Sequence, residues 1–158
     1  MLAGMGLSQA WDNGVNKIYM TMAQDLIYKN PMRNCIFLDN HDMDRVFSSV
    51  GEDWAKLKMG LTWLLTLRGI PQLYYGTEVL MKNKKTGLDG ASVREDFPGG
   101  WSSDAAISLQ LQEERIKKMK HSIIQAHWPI TGKRSSALTT GKTTQFVPVN
   151  GLYTYFRL

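Results

Sequence analysis

Cysteine is almost absent from this chain. Cys35 is the only one in 158 residues, so no disulfide can form within it. It sits in a β-prone apolar run, where a lone cysteine is expected to pack rather than react. Histidine is scarce, with three in all. No apolar run approaches the roughly 20 residues a membrane-spanning helix needs. The opening stretch "MLAGMGLSQAWDNG" has no basic start followed by an apolar core, so no secretory leader is expected there. Internal repeats and low-complexity tracts are missing as well. The compartment stays open on these grounds.

The composition that remains, 43% hydrophobic and 21% charged, is that of a folded globular protein able to bury a core. The formal charge of +5 is concentrated in one place. Between Ile107 and Ser136, six basic residues face only Glu113 and Glu114, which accounts for +4 of it. A local basic segment without a nucleic-acid motif is read as a solvated helix face, so neither a nucleic-acid nor a membrane partner is expected.

Apolar residues from Val15 to Tyr28 recur at helical spacing, with Ile18, Tyr19, Met22 and Leu26 on one stripe and Pro31 beyond the end. "CIFL" then reads as a short strand covered on both faces. Ser49 and Glu52 have capping-box spacing, and Trp54, Leu57, Leu61, Leu64 and Leu65 form a second helical stripe. That helix is expected to end at Arg68-Gly69, before a second strand in "PQLYYG". Strand, helix, strand over about 45 residues is a βαβ unit with parallel strands, whose chemistry belongs at the strand carboxyl ends. Both ends are polar: Asp39 to Asp44 after the first, Tyr75 to Glu78 after the second. The loop "MKNKKTGLDGASVREDFPGGW" brings Arg94, Asp96, Phe97 and Trp101 to the same side. In the tail, Asn150-Gly151 between two β-prone runs is a strong hairpin signal.

Three chemistries can be weighed for "NCIFLDNHDMDR". As a calcium loop, Asn40, Asp42 and Asp44 alternate correctly, but Arg45 takes the turn-glycine position and Gly51 the glutamate position. As a metal phosphohydrolase, His41-Asp42 lacks further ligands, since only His121 and His127 remain. Glycoside hydrolysis fits better. Strand-end carboxylates can act on an oxocarbenium-like transition state, an imidazole can bond sugar hydroxyls, and Tyr75 can stack on a sugar face. The bland alternative is that Asp42 and Asp44 cap the next helix and that Tyr74 and Tyr75 are core.

The motifs themselves decide between these. "FLDNHD" resembles the block at the end of the seventh barrel strand in the α-amylase family, glycoside hydrolase family 13, and "GIPQLYYGTE" resembles its eighth strand. "VREDFPGGW" is similar to the neopullulanase and cyclomaltodextrinase-like starch enzymes. "TTGKTTQFVPVNGLYTYFR" looks like the start of their C-terminal β-sandwich. The resemblance implies an α/β fold: residues 1–134 as the last two βα units of a TIM (β/α)8 barrel, and 135–158 as the beginning of an antiparallel β-sandwich. It implies an α-glucan oligosaccharide as partner, and Asp42 as the carboxylate that stabilises the transition state. His41, Asn40, Arg45, Tyr75 and Arg94 would be substrate-binding, Asn40 by shaping the turn, and Glu78 a supporting residue. The family's aspartate nucleophile and glutamate acid/base sit on the fourth and fifth strands and have no counterparts here, so this polypeptide alone is expected to be inactive. The alternative is a non-catalytic carbohydrate-binding fragment or a gene remnant. No cofactor is implied, because the family's calcium sites lie mostly outside the matching stretch; calcium belongs to the intact enzyme, whose compartment could be periplasmic or extracellular.

Residues 105–134 depart from the family's amphipathic closing helix, and Pro129 interrupts them. The resemblance resumes abruptly at Ser136. We read this as a compensated frameshift, the alternative being a divergent but genuine helix. Translating the neighbouring frame of the coding DNA between codons 105 and 135 is expected to yield a family-like helix. A frame without one would refute the reading.

Overall fold

The computed structural model describes residues 14–88, 90–98, 113–114 and 135–158. The basic segment and the 105–134 stretch fall almost wholly outside the described residues, and Trp101 does so too.

Helix α1 runs Gly14–Ala23 and buries Ile18 and Met22, four residues apart on one face. It tightens into a 3₁₀ turn at Gln24–Ile27, so the helix expected to Tyr28 is shorter, and Leu26 is exposed. Strand β1 is Cys35–Phe37 and β2 is Ile70–Gln72. They pair in parallel, with Cys35 opposite Ile70 and Phe37 opposite Gln72. The connection holds a short helix α2, Val46–Ser49, and the long helix α3, Trp54–Thr66. This is the expected βαβ unit. Its entry differs from expectation: Ser49 closes α2, and Asp53 rather than Ser49 caps α3, its carboxylate accepting from the Ala55 and Lys56 amides at 2.8 and 3.2 Å. A capping oxygen must sit within a turn of the orphan N–H groups, and Ser49 lies too far upstream.

The core forms where α3 meets α2 and Leu80, which follows the 3₁₀ turn Thr77–Val79. Leu57, Leu61 and Leu64 recur along one face of α3 and are buried, Leu57 completely. Leu57 and Leu61 pack with Val46, Val50 and Leu80, flanked by Leu38, Phe47, Trp54, Trp63 and Leu65. Gly69 makes the close approach of β2 to β1 feasible. Its φ is +114°, and a Cβ there would meet the Asn34 carbonyl oxygen at 2.6 Å, the same oxygen that accepts from the Ile70 amide.

The "CIFL" run is not covered on both faces. Cys35, Phe37, Ile70 and Leu73 are exposed, because among the described residues this sheet has only two strands. The Cys35 thiol contacts the Gln72 carboxamide oxygen at 3.2 Å instead of packing inside.

After helix α4, Ser136–Thr139, strands β3 (Thr143–Gln145) and β4 (Tyr155–Arg157) form the expected antiparallel hairpin. Asn150 and Gly151 both have positive φ, and Val149 bridges Leu152, the geometry of a tight two-residue turn. One face of the hairpin packs on the helices. Tyr153 meets Tyr19 and Trp63 edge-on at 6.5 and 6.0 Å and stacks on Tyr155 at 5.5 Å. Tyr155 hydroxyl bonds Thr66, and burial pushes the Tyr153 hydroxyl well above the usual tyrosine range. Beneath this cluster the Arg68 guanidinium grips the Asp25 carboxylate, tying the exit of α1 to the exit of α3. The other face, with Phe146 and Phe156 edge-to-face, is exposed.

Leu57→Ala should cost about 2–5 kcal/mol, because it opens a cavity among fully packed neighbours. Gly69→Ala should destabilise as well, through its positive φ and the Asn34 carbonyl. Urea unfolding monitored by circular dichroism measures both; stability within about 0.5 kcal/mol of the parent in either variant contradicts the packing described.

Candidate active-site cleft

The polar residues after β1 form a loop whose two ends are fixed. At its start, Asp39 is 3% exposed, and its Oδ2 accepts from the Val46 amide at 2.8 Å. Asp39 therefore takes the first amide of α2, and neither Asp42 nor Asp44 caps that helix. At the loop's far end Arg45, 1% exposed, donates from Nη1 to the Tyr75 carbonyl at 2.6 Å. The Arg45 guanidinium lies over the rings of Tyr74 and Tyr75, 4.2 and 4.7 Å from their centroids, and its Nη2 approaches the Met81 sulfur at 3.5 Å. Its backbone amide donates to the Asn83 carbonyl at 3.0 Å.

Between these anchors the tip turns sharply. Asn40 Oδ1 accepts from the Asp42 amide at 2.9 Å, an Asx turn, while the Asn40 carbonyl accepts from Met43. His41 and Asp42 project outward, and His41 Nε2 lies 3.3 Å from Asp42 Oδ2. Arg94 comes across from the long loop. Its Nη2 donates to Asp42 Oδ1 at 3.0 Å and its Nε to the His41 carbonyl at 3.0 Å. Asp44 secures the same loop by accepting from the Lys85 amide at 2.7 Å.

Tyr75 stands at the end of β2 with its ring exposed at the edge, against Tyr74 at 4.7 Å. Its hydroxyl donates to the Glu95 carbonyl at 2.6 Å, and the Arg45 guanidinium lies over its ring. Glu78 is half-buried in the 3₁₀ turn Thr77–Val79. Asn40, His41, Asp42 and Arg94 thus share one cluster, with Tyr75 on the adjoining strand end. Arg45 does not join them at the surface. Expected as a substrate contact, it is 1% exposed and lies beneath the cluster.

Sequence reasoning also missed Asp39 and Tyr74. Tyr74 acts through Arg45, which is distant in sequence, and Asp39 through Val46 across the loop; only the Asp-rich strand end hinted at Asp39. Burial holds the Asp39 carboxyl above its ordinary value, opposed by the Val46 amide and the Arg45 charge. Among the described residues no three His, Cys, Asp or Glu side chains gather as a metal site, and no helix is long and apolar enough to cross a membrane.

The model of the α-amylase catalytic domain matches residues 8–136. The chain belongs to the α-amylase family. A cyclomaltodextrin glucanotransferase of Geobacillus stearothermophilus is 43% identical over 82 residues, covering 49% of this chain and 11% of that protein. The corresponding enzyme of Paenibacillus macerans is 31% identical over 143 residues, or 90% of this chain and 17% of its own length. Among solved structures, a cyclomaltodextrin glucanotransferase with a three-domain ABC distribution is 26% identical with a TM-score of 0.58, covering 98% of this chain and 29% of that one. The chain is therefore part of the α-amylase barrel fold and spans only a small share of the curated relatives it matches.

Because the folded pKa of Asp39 lies above its unfolded value of 3.8, the folded state holds a proton that the unfolded state releases. Its contribution is complete below pH 3.8 and is lost as pH rises through the folded pKa. Asp39→Asn should therefore lose less stability than the parent over that rise, measured by urea unfolding at several pH values. Parallel curves for the two proteins would contradict it.

Proposed function

We propose that this chain is the C-terminal portion of a retaining glycosidase acting on α-1,4 bonds of starch-derived glucans. The substrates in view are maltooligosaccharides, pullulan or cyclodextrins. Residues 1–134 supply the last two βα units of the (β/α)8 barrel and 135–158 the start of its C-terminal β-sandwich. The parallel pairing of β1 and β2 supports the first assignment, and the β3–β4 hairpin the second. The extent of the family match, which stops at residue 136, agrees with the division. Relatives named for cyclomaltodextrin chemistry support the substrate class.

One observation carries the site: Asp42 and His41 lie exposed at the carboxyl end of a barrel-type strand, with Arg94 bonded to the Asp42 carboxylate. A carboxylate there steadies the positive charge that develops on the sugar ring as the glycosidic bond breaks, a contribution of several kcal/mol when it acts on the transition state. His41 bonds hydroxyls of the same sugar, Arg94 and Tyr75 line its approach, and Glu78 supports the strand end. Retaining hydrolysis also needs a nucleophile and an acid/base held about 5 Å apart. Asp42 supplies neither, so the 158-residue chain alone is inactive. The exposed edge of β1 and β2, with Phe37, Ile70 and Leu73, is where the preceding barrel strands would pair and pack.

Coding DNA upstream of codon 1 is expected to encode further barrel strands ending in an aspartate and a glutamate. In the enzyme so completed, Asp42→Asn should lower kcat by at least about a hundredfold on maltooligosaccharides while the protein stays folded. Turnover by the purified chain alone would overturn the assignment. Binding of maltooligosaccharides by that chain without turnover would favour a carbohydrate-binding fragment instead.

A further inference from the structure

Arg45 is the most completely buried charge among the described residues, and its guanidinium is held by groups at the strand ends rather than presented to the cleft. Its contacts run to both strand ends and to the long loop. The guanidinium bonds the Tyr75 carbonyl and lies over the rings of Tyr74 and Tyr75, and the backbone amide bonds Asn83. The Asp39 carboxylate, holding the Val46 amide one residue further on, is close enough for its charge to be felt. The excursion from Asn40 to Asp44 that carries His41 and Asp42 is thereby closed at its base and pinned to the residues that follow β2.

We infer that Arg45 is a positioning residue that sets where the Asp42 carboxylate stands relative to the Tyr75 strand end. The inference rests on the reading of Asp42 given above. Three features require arginine itself. A planar guanidinium can lie over two aromatic rings while donating in its own plane to a carbonyl; an ammonium cannot do both. The charge stays protonated in a buried site. The Asp39 carboxylate also lies near enough for the two opposite charges to interact. Movement at this base is passed to the tip, because the Asx turn of Asn40 leaves only a short link between them, and displacement of a reacting group by about 1 Å can cost about a hundredfold in rate.

The test is made on the full-length enzyme that carries this segment, with Arg45→Lys and the charge-free pair Asp39→Asn with Arg45→Met. Both should lower kcat on a maltooligosaccharide by about 10- to 100-fold while KM stays within about threefold, since the side chains placed at the sugar are all retained. Amide exchange should quicken at Arg45 and Val46 and stay unchanged at Leu61 and Leu64 of α3. A rise in KM at constant kcat would make Arg45 a substrate contact and overturn the inference. Unchanged kcat in both variants would also overturn it, as would loss of cooperative melting in both, which marks a residue of the fold alone. Asp42→Asn, run in parallel, separates the two levels: retained activity there removes the reading of Asp42, whatever Arg45 does.

Discussion

A guanidinium removed from water has to be compensated on every side, and the way Arg45 is compensated organises the strand-end region. Desolvating a charge costs several kcal/mol unless hydrogen bonds and opposite charge replace the lost water. Here the Tyr75 carbonyl, two aromatic faces and the nearby Asp39 carboxylate do so. These partners come from the residues that follow β1 and the residues that follow β2. Satisfying one side chain therefore fixes the two strand ends in relation to each other. Asp39 serves twice, as the neighbouring charge and as acceptor for the first amide of α2.

The second set of constraints holds the helices to the hairpin. The Arg68–Asp25 pair joins the ends of α1 and α3. Tyr153, Tyr155, Trp63 and Tyr19 lay an aromatic layer over that junction. Arg157 fastens the hairpin to the short helix before it, donating to Thr143 Oγ1 at 2.8 Å and to the Leu138 carbonyl at 3.0 Å. The Tyr153 and Tyr155 hydroxyls keep polar partners, Gln145 and Thr66, so this half-buried layer does not strand them. The surfaces left open lie on the opposite sides, on β1 and β2 and on the outer face of the hairpin. A two-stranded sheet is marginal by itself, and apolar residues on its open face lower the free energy only when more structure covers them. That agrees with a chain matching a fraction of a larger catalytic domain.

Much of this architecture could be read from the sequence because the signals are local. The stripe of Leu57, Leu61 and Leu64 requires a helix with one buried face, and Asn150-Gly151 requires a tight turn. Where the reading slipped, a competing local option or a distant partner was responsible. Ser49 and Glu52 had the spacing of a capping box, but Asp53 stood nearer the first amides of α3 and captured them. "CIFL" has the composition of a doubly covered strand, but covering it needs neighbours that the described residues do not include.

The order of elements, the parallel pairing of the two strands and the gathering of Asn40, His41 and Asp42 at one strand end were determined by the sequence alone, since hydrophobic period, turn residues and the βαβ crossover leave little choice. Tertiary structure decided which side chains face the cleft and which hold it up. Arg94, 52 residues beyond Asp42, reaches its carboxylate, whereas Arg45, three residues away, points beneath the site. Sequence distance says nothing about that difference. An arginine's destination is set by where its charge can be compensated, and only the folded arrangement of strand ends shows where the compensating groups are.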